Sequence, residues 1–83
     1  MPGAVAHPAE PCLSAALTPF LVKGFGARTL TATCERWTHQ LGWELRLLID
    51  GHDLHMVRVV RSAHEMATTI DEWRTDMAEF GWR

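Results

Sequence analysis

The sequence predicts an α+β fold: a three-stranded antiparallel meander, then one C-terminal amphipathic helix packed on one face, with an irregular or partly helical N-terminal arm. Three observations predict it. Apolar and polar residues alternate through much of residues 28–61, which is the period of a half-buried strand. Asp50-Gly51 lies between two of these runs and is typical of a hairpin turn. Residues 62–82 instead repeat apolar residues every three or four positions, which is the period of a helix.

The N-terminal arm is expected to span residues 1–27. Residues 1–11 contain three prolines and a glycine and should be irregular. Residues 14–18 could form a short helical turn that ends before Pro19, because a residue preceding proline is pushed out of the helical region. The following segment from Phe20 to Phe25 is apolar. We expect the arm to be partly ordered by lying on a single domain of residues 28–83.

The first two predicted strands each have one clear apolar face. In the first, Leu30, Ala32 and Cys34 alternate with threonines, and Trp37 falls out of phase at the strand end or on the second face. In the second, four apolar residues alternate with a set that is polar except for Leu48: Trp43, Leu45, Leu47 and Ile49. The connection of residues 38–42 joins them.

The third predicted strand, residues 54–61, has two possible registers. A two-residue turn at Asp50-Gly51 would send Leu54, Met56, Arg58 and Val60 toward the helix. A three-residue turn would instead send His55, Val57, Val59 and Arg61 there. We favour the three-residue loop, since it places two valines in the core and leaves an arginine outside.

The helix has a start signal and a stop signal. Ser62 and Glu65 form a capping box, in which the hydroxyl accepts from the N–H of residue 65 and the carboxylate from that of residue 62. Gly81 can adopt the left-handed conformation that ends a helix. The face opposite the apolar stripe is acidic: Glu65, Asp71, Glu72, Asp76 and Glu79. A solvated face explains this pattern more simply than a docking site for a basic partner.

These patterns predict a core and an uncovered second sheet face. The predicted core is Leu30, Ala32, Cys34, Trp43, Leu45, Leu47, Ile49, Val57, Val59, Met66, Ala67, Ile70, Trp73, Met77 and Phe80. Apolar residues on the other sheet face indicate an interface. Its candidate residues are Leu48, Met56, Val60, Arg46, Arg58 and Trp37. Either the segment from Phe20 to Phe25 or a second copy of the chain could cover it, so we expect a homodimer or a complex with another protein.

Composition narrows the functional classes. The 83 residues allow one small domain, and a net charge of −2 provides no global attraction to nucleic acid or anionic membranes. Two cysteines do not make a disulfide framework, which favours a cytoplasmic protein. The apolar run of residues 12–22 is too short to span a bilayer, and the first eleven residues lack the basic residues of a signal peptide.

No catalytic constellation or cofactor motif is found, so we predict neither enzymatic activity nor a bound cofactor. His52, Asp53 and His55 are weak metal candidates, because their spacing matches no structural zinc pattern. The alternative function is a nucleic-acid or nucleotide-binding module that uses arginines and aromatic residues on the sheet. Those arginines are Arg28, Arg36, Arg46, Arg58 and Arg61.

The chain resembles a group of short bacterial proteins with no assigned function. The resemblance covers about residues 30–83 and rests on the segments Cys34-Glu35-Arg36-Trp37 and Gly42-Trp43-Glu44-Leu45-Arg46-Leu47, with Asp50-Gly51, Arg61-Ser62 and Gly81-Trp82. It implies a fold but no activity or catalytic residue. Three strands followed by a helix also resemble part of the HicB-type antitoxin sheet, although this chain lacks the DNA-binding extension often found there.

Overall fold

A computed structural model describes residues 12–83 and contains four strands and one helix. These elements are β1 (Leu13–Phe25), β2 (Arg28–His39), β3 (Gly42–Ile49), β4 (Asp53–Val60) and α1 (Ala63–Ala78). The strands form one antiparallel sheet in the order β1-β2-β3-β4. The α+β class, the meander and the C-terminal helix are therefore confirmed, but the sheet has four strands rather than three.

Strand β1 replaces most of the expected arm. It pairs with β2 from Leu13, opposite Trp37, to Phe25, opposite Arg28, so residues 14–18 are extended rather than helical. Pro19 lies in an irregular stretch between Leu17 and Leu21 of this edge strand. Proline is tolerated there because an edge strand has one side without a neighbouring strand to receive its N–H. The expectation for residues 1–11 lies outside the described residues.

The hairpin between β3 and β4 corrects the predicted register. Its loop has three residues, as expected, because Ile49 is opposite Asp53, and Asp50 and Gly51 both have positive φ. A bulge follows, however, since Leu47 pairs with Met56 while Leu48 pairs with Leu54, which leaves one extra residue in β4. The extra residue reverses the faces of β4. Met56, Arg58 and Val60 therefore face the helix side, and Val57 and Val59 do not.

Ser62 and Gly81 lie at the two ends of α1 as predicted, but the Glu65 carboxylate has a different hydrogen-bond partner from the expected one. The Ser62 side chain accepts from the Glu65 N–H at 3.1 Å. The Glu65 carboxylate accepts from the N–H of Arg61 at 3.3 Å rather than from that of Ser62. The helix ends at Ala78, and Gly81 has a φ of 92° in the turn that follows.

The last two residues fasten the helix end to the edge strand. The N–H of Val22 donates to the carbonyl of Arg83 at 2.9 Å, and the N–H of Arg83 donates to the carbonyl of Val22 at 2.8 Å. The N–H of Trp82 donates to the carbonyl of Met77 at 3.2 Å, and its side chain is buried. Two backbone hydrogen bonds thus hold the C-terminal residue against the free edge of β1.

The core lies between the sheet and α1. Its buried apolar residues are Phe20, Leu21, Ala32, Cys34, Leu45, Leu47, Val60, Trp73, Met77 and Trp82, with Leu30, Trp43, Ile49, Met56, Met66 and Ile70 packed against them. Three residues expected in the core are instead exposed. Val57 lies on the side of β4 that is turned away from the helix. Phe80 follows the end of α1, and Ala67 lies on the exposed side of the helix. Val59 is half-buried on the same side of β4 as Val57.

The helix stripe provides a first test of this packing. We expect Trp73→Ala to lower the free energy of unfolding by about 3–5 kcal/mol, because the indole is 2% exposed and its removal leaves a cavity. Phe80→Ala should cost well under about 1 kcal/mol, since that ring is 69% exposed. Urea denaturation followed by circular dichroism measures both values. Equal losses would contradict the position of Phe80 beyond the helix.

Candidate functional site

The sheet has an outer face, which is the surface turned away from α1. Cross-strand partners share a face, so the register places three groups there: Trp37 opposite Glu44, Glu35 opposite Arg46, and Leu48 opposite Leu54. Val57 lies opposite Arg46, and Val59 lies opposite Glu44. The outer face therefore combines a polar centre on β2 and β3 with apolar residues toward β4.

The polar centre is a network of four side chains. The guanidinium carbon of Arg46 lies 4.2 Å from the centroid of the Trp37 ring. The Arg46 Nε also donates to the carboxylate of Glu44. The Trp37 Nε1 donates to Glu35 Oε1 at 2.9 Å. These groups thus bind one another, and one side of the Trp37 ring is occupied by the arginine.

The apolar strip beside this network consists of Leu48, Leu54, Val57 and Val59. Leu54 is 57% exposed and Val57 is 51% exposed, while Leu48 and Val59 are half-buried. Contiguous exposed apolar side chains on a folded protein usually mark a contact surface. The segment from Phe20 to Phe25 does not cover this strip, because it lies in the plane of the sheet as part of β1. Of the two candidates for covering this face, the segment from Phe20 to Phe25 is therefore wrong.

The six interface candidates divide between the two faces. Leu48, Arg46 and Trp37 lie together on the outer face. Met56, Val60 and Arg58 lie on the helix side, because the bulge in β4 shifts them there. Val60 is fully buried, and Arg58 donates to Thr69 Oγ1 at 3.3 Å and to Glu72 Oε2 at 2.9 Å. These last three residues are therefore no part of an outer-face interface.

The arginines do not form one cationic surface. Arg46 lies on the outer face, whereas Arg36 and Arg58 lie on the helix side. Arg28, Arg46 and Arg58 are each paired with a carboxylate, from Asp50, Glu44 and Glu72 respectively. Exposed ion pairs contribute little stability, but they do neutralise the local charge that would attract a nucleic acid.

A second surface, the helix-side groove, lies between β1 and α1. It has a volume of about 270 Å³ and is lined by Ala15, Ala16, Leu17, Cys34, Arg36, Leu45, Met66 and Ile70. The Nε of Arg36 donates to Ser14 Oγ at 3.0 Å, and Ser14 Oγ donates to the carbonyl of Arg36 at 2.9 Å. Sequence reasoning missed this groove because one wall is the unpredicted strand β1.

The remaining side chains to consider for catalysis or metal binding are Cys34 and the hairpin residues His52 and Asp53. Burial raises the pKa of the Cys34 thiol, although nearby Arg74 acts in the opposite direction, so the thiolate is disfavoured at neutral pH. His52 Nε2 lies 3.7 Å from Asp53 Oδ1, and its Nδ1 lies 2.9 Å from the carbonyl oxygen of Asp50. Within residues 12–83, no three His, Cys, Asp or Glu side chains are grouped to hold a metal ion.

Comparisons with known proteins identify no relative of this chain. No protein-family model matches the chain, and searches of curated proteins and of solved structures give no significant match. Across residues 12–83, α1 is the single helix, and it lacks the length and apolar content needed to cross a bilayer. The two surfaces described above are therefore the basis for a proposed function.

Proposed function

We propose that this chain is a small cytoplasmic protein-interaction or regulatory domain, which self-associates through the outer face of its sheet. One observation carries the proposal: the strip of Leu48, Leu54, Val57 and Val59 is apolar, and about half of the Leu54 and Val57 side chains is exposed among the described residues. Burying such side chains against a second copy removes apolar surface from water. This stabilises the complex by about 25 cal/mol for each Å² of apolar surface buried.

The surroundings of the strip also suit a symmetric contact. An interface usually has an apolar centre and a polar rim, and the network of Trp37, Glu35, Arg46 and Glu44 borders the strip along β3. In a two-fold dimer the same surface occurs on each partner, so every apolar residue of the strip contributes twice. Because the strip is narrow and association itself costs free energy, we expect a concentration-dependent dimer.

The geometry favours protein contact over the nucleic-acid alternative. A base would need an open aromatic ring on which to stack, but the guanidinium of Arg46 lies over Trp37. The carboxylate of Glu44 pairs with that same arginine. A salt titration separates the two functions, since nucleic-acid binding weakens steeply with ionic strength and an apolar contact does not.

Aspartate in the strip should break self-association. We expect the wild-type chain to have about twice its 9.4 kDa mass in light scattering at tens of micromolar, and Leu48→Asp to return it to the single-chain mass. The reason is that a buried carboxylate without a partner opposes association. Val57→Asp should act in the same way, and its side chain is already half exposed, so folding is little affected.

Leu41→Asp is the matched control. Leu41 is 54% exposed in the turn between β2 and β3, so the same change of side chain is made outside the strip. Its mass should equal that of the wild type. A monomeric wild-type protein at these concentrations, or a dimer that withstands both strip variants, would show that the outer face is not the contact.

A further inference from the structure

The helix-side groove is a second surface that outer-face association does not use. Its floor includes Leu45, which is 1% exposed, and Cys34, which is 6% exposed, while Leu17 on its β1 wall is 49% exposed. Met66 and Ile70 lie one helical turn apart and form the opposite wall. The groove is therefore an apolar channel that opens to solvent beside an exposed leucine.

Among the described residues that line the groove, Arg36 is the only charged one. Among residues 12–83, no carboxylate lines the groove and Arg36 forms no ion pair, whereas Arg28, Arg46 and Arg58 each have one. Its Nε is held by the hydroxyl of Ser14. A guanidinium presents several N–H donors in one plane, so a carboxylate can be bound by the donors that Ser14 does not take.

We propose that the helix-side groove binds a medium-chain carboxylate, with its hydrocarbon chain along Leu17, Leu45 and Ile70 and its carboxylate on Arg36. Charge complementarity selects the carboxylate, since the described residues that line the groove include a cation and no anion. The volume of about 270 Å³ lies just below the usual range for small-molecule sites, which favours a chain of roughly eight to ten carbons.

If the groove binds the hydrocarbon chain, the affinity for fatty acids should depend on their chain length. Each fully buried methylene tightens binding by up to about four-fold, and an open groove buries each one only in part. Affinity should therefore rise about two- to four-fold per carbon from hexanoate to decanoate. A contact made by the carboxylate alone would show no dependence on chain length.

The experiment is a titration of the full ¹⁵N-labelled chain with sodium decanoate, observed by NMR. We expect the largest shifts at the amides of Leu17, Cys34 and Ile70. Decyltrimethylammonium, whose chain is one carbon longer and whose charge is opposite, should bind at least about ten-fold more weakly. Arg36→Gln should weaken decanoate binding by about ten-fold, because it removes the charge and keeps hydrogen-bonding capacity.

A pair of leucine variants tests the position independently of Arg36. Leu17→Asp places a carboxylate in the groove and should abolish decanoate binding. Leu13→Asp makes the same change in the same strand, at a side chain that is 50% exposed and does not line the groove, and should bind as the wild type does. Leu48→Asp should also bind normally, so that failure of the outer-face proposal and failure of this one are distinguishable.

Two results would overturn the inference. One is the absence of shifts at the groove residues of the wild-type chain up to about 5 mM decanoate, above the millimolar dissociation constant of a very weak complex. The other is equal binding of decanoate and decyltrimethylammonium, which would show that the groove attracts hydrocarbon without recognising the carboxylate. Both measurements use the wild-type chain, so they remain decisive even if Arg36→Gln fails to fold.

Discussion

Val60→Asp is expected to remove most of the free energy of unfolding of the domain at 25 °C. The side chain of Val60 is 0% exposed and lies opposite Trp43 in the sheet, on the side covered by α1. A carboxylate there would be buried without a partner, which costs more than about 4 kcal/mol. A domain of this size has a total stability of about 5–10 kcal/mol, so most of it would be lost. Circular dichroism during urea denaturation measures the effect.

Val57→Asp, three residues earlier, is the matched control for this prediction. Val57 is 51% exposed on the outer face of the edge strand, so the new carboxylate stays in water and should cost less than about 1 kcal/mol. The two variants together test the register of β4. If Val57→Asp unfolded the domain and Val60→Asp were tolerated, the bulge near His55 would be absent and the faces of β4 would be reversed.

This register also shows what the sequence could predict and what it could not. The position of the hairpin turn followed from Asp50-Gly51, and both residues have the positive φ that this dipeptide favours. The three-residue loop was favoured for a reason that proved wrong, since Val57 and Val59 do not face the helix. The bulge had no comparable signal, because both faces of β4 carry apolar residues and either register buries some of them. When the alternation is not one-sided, tertiary packing decides the face.

Strand β1 was missed for a different reason. Pro19, Gly24 and Gly26 are residues that usually interrupt regular structure, and here they fall in an irregularity, near a strand end and in a turn. The pairing of Leu17 with Cys34 depends on a long-range contact that local patterns do not reveal. One possible signal was the buried pair of Phe20 and Leu21, whose apolar character needed a partner in the core.

The candidate site was predictable to the same extent as the fold. Leu48, Trp37 and Arg46 were expected on the face away from the helix, and they lie there because β2 and β3 alternate regularly. The contacts that distinguish the outer face were not predictable: the stacking of Arg46 on Trp37 and the pairing with Glu44 depend on exact cross-strand neighbours. The helix-side groove needs β1 and could not be anticipated without it.

Gly42→Ala is expected to destabilise the domain by about 2–6 kcal/mol. A Cβ at this position would lie 2.3 Å from the carbonyl oxygen of Val60 and 3.0 Å from the Cα of Arg61, which are backbone atoms that cannot rotate away. The φ of +145° adds a conformational cost for any side chain. Overpacking and backbone strain each contribute about 1–3 kcal/mol. Thermal and urea denaturation would measure the loss.

Gly24→Ala distinguishes this steric effect from a general effect of replacing glycine. No atom lies within 4 Å of a Cβ built on Gly24, so its replacement should change the stability by less than about 0.5 kcal/mol. A similar small change at Gly42 would mean that the β2–β3 turn and the end of β4 are not in contact. Because α1 begins just after that point, a loss of this contact would also change how the helix is placed over Leu45 and the helix-side groove.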